Sequence, residues 1–151
     1  MAALDIAIKI IRKFEGCVLH AYPDPATGGE PITIGWGNTR HIDGRKVRMG
    51  DVLTQQQADD LLASYVVEFL KAVDYSVKVP VSDNQLAALT SFAYNCGIGA
   101  LQKSTLLKKV NLNPNDPTIR DEFMKWNKAN KKIFPGLTRR RKDEADLYFT
   151  K

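Results

Sequence analysis

Glu15, Asp24 and Thr33 follow one another along the chain at equal intervals of nine residues. Glu15 closes an apolar-periodic segment just before Gly16. Asp24 lies in the turn-forming run Tyr22-Pro23-Asp24-Pro25, and Thr33 in Ile32-Thr33-Ile34-Gly35-Trp36-Gly37. A carboxylic acid, a second carboxylate and a hydroxyl are the groups needed to cleave a glycosidic bond with an activated water. Each also has a plainer reading. Glu15 alone is a solvated helix-end carboxylate, Asp24 a turn-former, and Thr33 a β-branched strand residue.

These residues need elements to hold them. Leu4, Ala7, Ile8, Ile11 and Phe14 recur at helical spacing, so a helix is expected over 3–15 with Gly16 as its stop. Residues 17–50 are punctuated by Pro and Gly and carry short runs such as Ile32-Thr33-Ile34, which predicts a small antiparallel sheet. Ile42-Asp43-Gly44-Arg45 reads as a hairpin turn. Thr54 with Gln57 fits a capping box, opening a long helix through Leu61, Leu62, Tyr65, Val66, Phe69, Leu70 and Val73 to about Tyr75. A second box, Ser82 with Gln85, opens a helix that Gly97 and Gly99 end. Shorter helices are expected over 104–110, 118–129 and 137–149. Segregated elements of this kind define an α+β class rather than alternating βαβ units. The expected organisation is one domain over 1–151. A sheet lobe spans about 15–53, a connecting helix about 54–75, and a helical lobe about 81–151 together with the N-terminal helix.

The chain has 151 residues, enough for one domain with a real core. Its formal charge is +5, from 22 basic and 17 acidic residues, with a basic excess at Lys131, Lys132 and Arg139 to Lys142. Such a field attracts polyanions: nucleic acid, an anionic membrane surface or an acidic wall polymer. No apolar run approaches the roughly 18 residues of a membrane span, and the first residues do not read as a secretory signal. No stable membrane insertion is expected. Cys17 and Cys96 read as free, buried thiols. With only His20 and His41 beside them, no metal and no cofactor are expected.

Phe14-Glu15-Gly16, Ala21-Tyr22-Pro23-Asp24 and Thr33-Ile34-Gly35-Trp36-Gly37-Asn38-Thr39 together resemble the active-site half of the phage-type lysozymes, the endolysins of glycoside hydrolase family 24. Leu53 to Ala58, Asp83 to Leu89, Ser91 to Gly97, Ser104 to Leu107, and Gly136-Leu137 with Arg140, Arg141 and Glu144 resemble the rest of that family's pattern. The resemblance covers about residues 10–150. It implies a lysozyme-like fold and cleavage of the β-1,4 bond between N-acetylmuramic acid and N-acetylglucosamine in peptidoglycan. Glu15 matches the catalytic acid, Asp24 the second carboxylate and Thr33 the hydroxyl that holds the water. An inverting course is implied with them. The loop from Asp24 to Thr33 is longer than in the shortest family versions.

Tyr22, Trp36 and His41 are candidates to line the saccharide cleft, although Trp36 equally suits a core position. Asn95 matches a family asparagine near the cleft and equally suits a helix end before Gly97. Arg140 is a candidate partner for Glu15, or for Glu144 four residues on. The resemblance further implies a monomer with no nucleic-acid partner. It would be made in the host cytoplasm, released with the help of a holin and active on the wall in the periplasm. Rival readings are a non-catalytic glycan-binding protein on the same fold and a chitin-type glycosidase.

Overall fold

The computed structural model describes residues 2–25 and 27–151. They form two compact units: Arg12–Val67, and Met1–Ile11 with Glu68–Lys151. The first helix, α1 (Ala3–Phe14), buries Ala3, Ala7 and Ile11 along one line, and Arg12 and Lys13 in its last turn complement the helix dipole.

In the unit spanning 12–67, β1 (Val18–Tyr22) pairs antiparallel with β2 (Thr33–Gly35). The register joins Val18 to Gly35 and Tyr22 to Thr33, with an irregularity between, so β1 bulges against its shorter partner. Single bridges at His20–Val52, Ile34–Asn38 and Arg40–Lys46 extend this small sheet. The expected hairpin turn forms at 41–45. His41 N donates to Arg45 O at 2.9 Å, and Gly44 takes φ 88°, a left-handed value suited to glycine. Ala21, Ile32, Ile34, Val47 and Leu61 pack into this unit's core, with Leu53 and Tyr65 against them. The next helix, α2 (Gln55–Ser76), opens as the sequence predicts. Gln57 N donates to Thr54 Oγ1 at 3.1 Å, and Thr54 N to Gln57 Oε1 at 2.8 Å.

The other unit is helical. Beyond the end of α2 it contains α3 (Asp83–Cys96), α4 (Ile98–Lys103), α5 (Thr105–Leu112), α6 (Ile119–Met124), a hairpin of β3 (Lys128–Ala129) and β4 (Lys132–Ile133), and α7 (Pro135–Tyr148). Ser82 caps α3 in the expected box with Gln85, and Ser104 caps α5 through Leu107 N at 3.0 Å. Leu89, Phe92, Leu101, Leu106, Ile119, Phe123, Ala145 and Tyr148 form its core.

Two sequence expectations are corrected here. The helix expected over 118–129 stops at Met124. The hairpin follows it because Asn130 and Lys131 adopt φ of 50° and 66°, a left-handed pair that turns the chain back. The glycines after α3 are not a plain stop either. Gly97, at φ 102°, closes α3 and the chain re-enters a helix at once as α4. Both cysteines are free and half-buried.

Candidate active site

Glu15, Asp24, Thr33 and Tyr22 all lie in the unit spanning 12–67. Glu15 follows the last residue of α1 and is half-buried. Its carboxylate lies against the backbone of Gly37: a Cβ added there would stand 3.4 Å from Glu15 Oε2. Gly37 belongs to a tight turn over Ile34–Asn38. Ile34 N donates to Asn38 O at 2.8 Å and Asn38 N to Ile34 O at 2.9 Å. Asn38 is fully buried, and its Oδ1 accepts from Trp36 N at 3.1 Å inside the turn.

Asp24 sits at the head of a loop tied to itself. Its N–H donates to Gly29 O at 2.9 Å, and its carbonyl accepts from Gly28 N at 2.7 Å and Thr27 N at 3.2 Å. Thr27 locks the same loop. Its hydroxyl donates to Glu30 O at 2.7 Å and accepts from Gly29 N at 3.2 Å. The Thr33 hydroxyl donates to Pro31 O at 3.1 Å. With its proton committed there, the Thr33 oxygen offers lone pairs to a further donor.

Tyr22 relates these residues to one another. It is the register partner of Thr33 across the two strands, and directly opposed residues share a face. Its phenol is pushed above the ordinary value, first by burial, then by the charges of Glu15 and Asp24. Tyr22, Asp24 and Thr33 therefore lie on one small hairpin, with Glu15 just before its first strand.

The other sequence candidates are placed differently. Trp36 is 8% exposed. Its indole N–H donates to Asp59 Oδ1 at 3.0 Å, and the Arg12 guanidinium lies 4.9 Å from its ring centroid. Asp59 also accepts from Gln55 Nε2 at 2.9 Å. Burial works against its charge, but these two hydrogen bonds and the Arg12 charge prevail and hold its carboxyl below the ordinary range. Nothing in the spacing of Arg12, Trp36 and Asp59 announces this clamp; it takes the folded hairpin to assemble it. His41 Nε2 meets Asp51 Oδ2 at 2.8 Å. That pair lines a hollow of about 430 Å³ with Leu53, Gln57 and Leu61, a wall that does not include Glu15, Asp24 or Thr33.

Asn95 and Arg140 belong to the helical unit. Arg140 is buried, with Nε 3.4 Å from Glu144 Oε2 and Nη2 3.5 Å from Ser91 O. Asn95 is exposed on the last turn of α3, and its Oδ1 accepts from Arg141. Arg141 Nη1 lies 2.8 Å from Glu144 Oε1, and Ser91 Oγ donates to Glu144 Oε2 at 2.6 Å. Among the described residues, no group of three or more His, Cys, Asp and Glu side chains is arranged to hold a metal.

A small antiparallel sheet combined with a set of helices is the lysozyme-like content of solved structures. One, the endolysin from Escherichia coli O157:H7 phage FAHEc1, superposes with a TM-score of 0.84 at 39% identity, covering 95% of this chain and 90% of that one. Residues 12–144 match the family model described as phage lysozyme. The endolysin of Bacillus phage B103 is 41% identical over 143 residues, 95% of this chain and 52% of that protein. The endolysin of Salmonella phage P22 is 36% identical over 135 residues, 89% of this chain and 90% of that protein. This chain belongs to the phage lysozyme family. It spans about half the length of the Bacillus phage endolysins it matches.

Proposed function

We propose that the protein is an endolysin that hydrolyses the β-1,4 bond between N-acetylmuramic acid and N-acetylglucosamine in bacterial peptidoglycan, lysing the host cell. Glu15 protonates the leaving glycosidic oxygen. The Asp24 carboxylate stabilises the positive charge that develops on the sugar ring. Thr33, its own proton held by Pro31 O, accepts a hydrogen of the attacking water and keeps it beside Asp24. The reading is supported by one juxtaposition: Tyr22 is the cross-strand partner of Thr33, and its phenol is pushed up by burial and then by the charges of Glu15 and Asp24. Tyr22, Trp36, His41, Asn95 and Arg140 are the remaining candidates for contact with the saccharide or for support of the acid.

The protein acts as a monomer, made in the host cytoplasm and reaching the periplasm through a holin. No helix among the described residues is long and apolar enough to cross a membrane.

The experiment is turbidity clearance of outer-membrane-permeabilised Gram-negative cells by the protein and its Glu15→Gln variant, with analysis of the sugar ends released. Clearance by the native protein alone, with new muramic acid reducing ends, is the expected result. Equal clearance by both would assign lysis to the basic surface. Clearance by neither, with hydrolysis of chitin oligomers, would move the substrate to another glycan.

A further inference from the structure

On the unit spanning 12–67, two hollows of about 440 Å³ each share Glu30, Ile32, Lys46 and Val47 in their walls, so they adjoin as one groove. Its apolar lining includes buried Ile32 and Val47 and the exposed side chain of Met49. Its cations are Arg40, Arg45, Lys46 and Arg48. Two of these are committed nearby. Arg45 pairs with Asp43 at 2.7 Å, and Arg40 Nη1 donates to Gly44 O at 3.0 Å. Among the described residues, Lys46 and Arg48 make no side-chain ion pair. The one carboxylate in the groove, Glu30, accepts from Ile32 N at 3.3 Å.

We propose that this groove binds the acidic peptide stem carried by the glycan, an inference that rests on the peptidoglycan reading above. The groove has the chemistry of such a chain. Apolar walls suit the methyl groups of short residues such as alanine, and a cationic rim suits side-chain and terminal carboxylates spaced along an extended backbone. A glycan stripped of its peptides keeps the lactyl carboxylate of muramic acid but has no extended acidic chain to span both the rim and the walls. The groove also adjoins the candidate chemistry through a direct bond. Pro31, which lines it, accepts the Thr33 hydroxyl. A stem seated here would brace the segment that holds the water.

The test uses a synthetic stem tetrapeptide of alanine, glutamate, a diamino acid and alanine, followed by amide NMR on the native protein and on a Lys46→Glu/Arg48→Glu variant. Both side chains are exposed, so the variant keeps its core. The expected result is shifts confined to residues 30–32 and 39–49, lost or weakened at least tenfold in the variant. In parallel, the variant loses about tenfold in kcat/KM on peptide-bearing wall and keeps native rates on glycan stripped of its peptides. The proposal is overturned if the peptide leaves those residues unmoved, if its amidated neutral form or inorganic polyphosphate binds there equally well, or if the variant loses activity equally on both glycans. A native protein that binds the peptide here yet cleaves neither glycan would overturn the hydrolase reading and leave the groove standing. Cleavage of both glycans without peptide binding would do the reverse.

Discussion

Glu15 Oε2 lies 3.4 Å from the point where a Cβ on Gly37 would stand, so the candidate acid rests against bare backbone. Gly37 also has φ 87°, where a side chain is strained whatever the space. The Ile34–Asn38 turn therefore borders the carboxylate of the candidate acid.

Gly37→Ala is expected to lower kcat at least tenfold with little change in KM, because it displaces the proton donor rather than the bound sugar. It also destabilises by more than about 1 kcal/mol, since alanine fits a positive φ poorly. Steady-state kinetics beside urea denaturation separate the two effects. A variant that loses stability but keeps kcat would mean that Gly37 shapes the turn and not the acid.

Thr33→Val removes the hydroxyl and leaves Pro31 O without its donor, at a stability cost of about 1 kcal/mol. If Thr33 holds the water, Val lowers kcat sharply and Ser restores most of it. Equal rates for Val and Ser would confine Thr33 to a structural role.

Arg141 is fully buried, beside Glu144 in the helical unit. Arg141→Met would leave that carboxylate in the core with less compensation. The expected loss is about 3–5 kcal/mol, read from the urea midpoint. A Glu144→Gln change added to it should recover part of the loss, because it removes the charge left behind. Simple addition of the two losses would contradict a shared network.

Asp59 supplies a pH test. Its carboxyl sits below the ordinary 3.8, so the native state binds that proton less readily than the unfolded chain. Its contribution is complete above about pH 4 and disappears as the pH falls through the depressed value. Native protein should therefore lose more stability between pH 5 and pH 2 than Asp59→Asn does. Parallel curves for the two over that span would show that Asp59 gains nothing from Trp36 and Gln55.

Local chemistry made much of the fold legible. Thr54 with Gln57, and Ser82 with Gln85, state a helix start within four residues, and both form. The 128–133 hairpin was hidden because its turn is made by Asn130 and Lys131 rather than by glycine. The re-entry at Gly97 was hidden because a glycine that ends one helix also permits the next. The site divides in the same way. Glu15, Asp24 and Thr33 are recognisable by type and interval in one stretch of chain. Asp59 is not, because it reaches Trp36 across 23 positions, through a helix whose docking no local rule specifies. The groove at Lys46 and Arg48 was hidden for a different reason: its cations are neighbours at positions 40–48, but the apolar wall that Ile32 adds to Val47 is assembled only by folding.

The division of the chain also has a consequence for biosynthesis. Residues 12–67 form one uninterrupted unit, whereas 1–11 belong with 68–151. During synthesis the sheet unit can be completed while the start of α1, with its buried Ala3 and Ala7, still lacks the rest of its own unit. Helix α7 packs on α3 within the helical unit, so that unit is finished only once residues 135–148 have emerged. A nascent chain would thus carry its whole set of candidate catalytic carboxylates well before the molecule around them was complete.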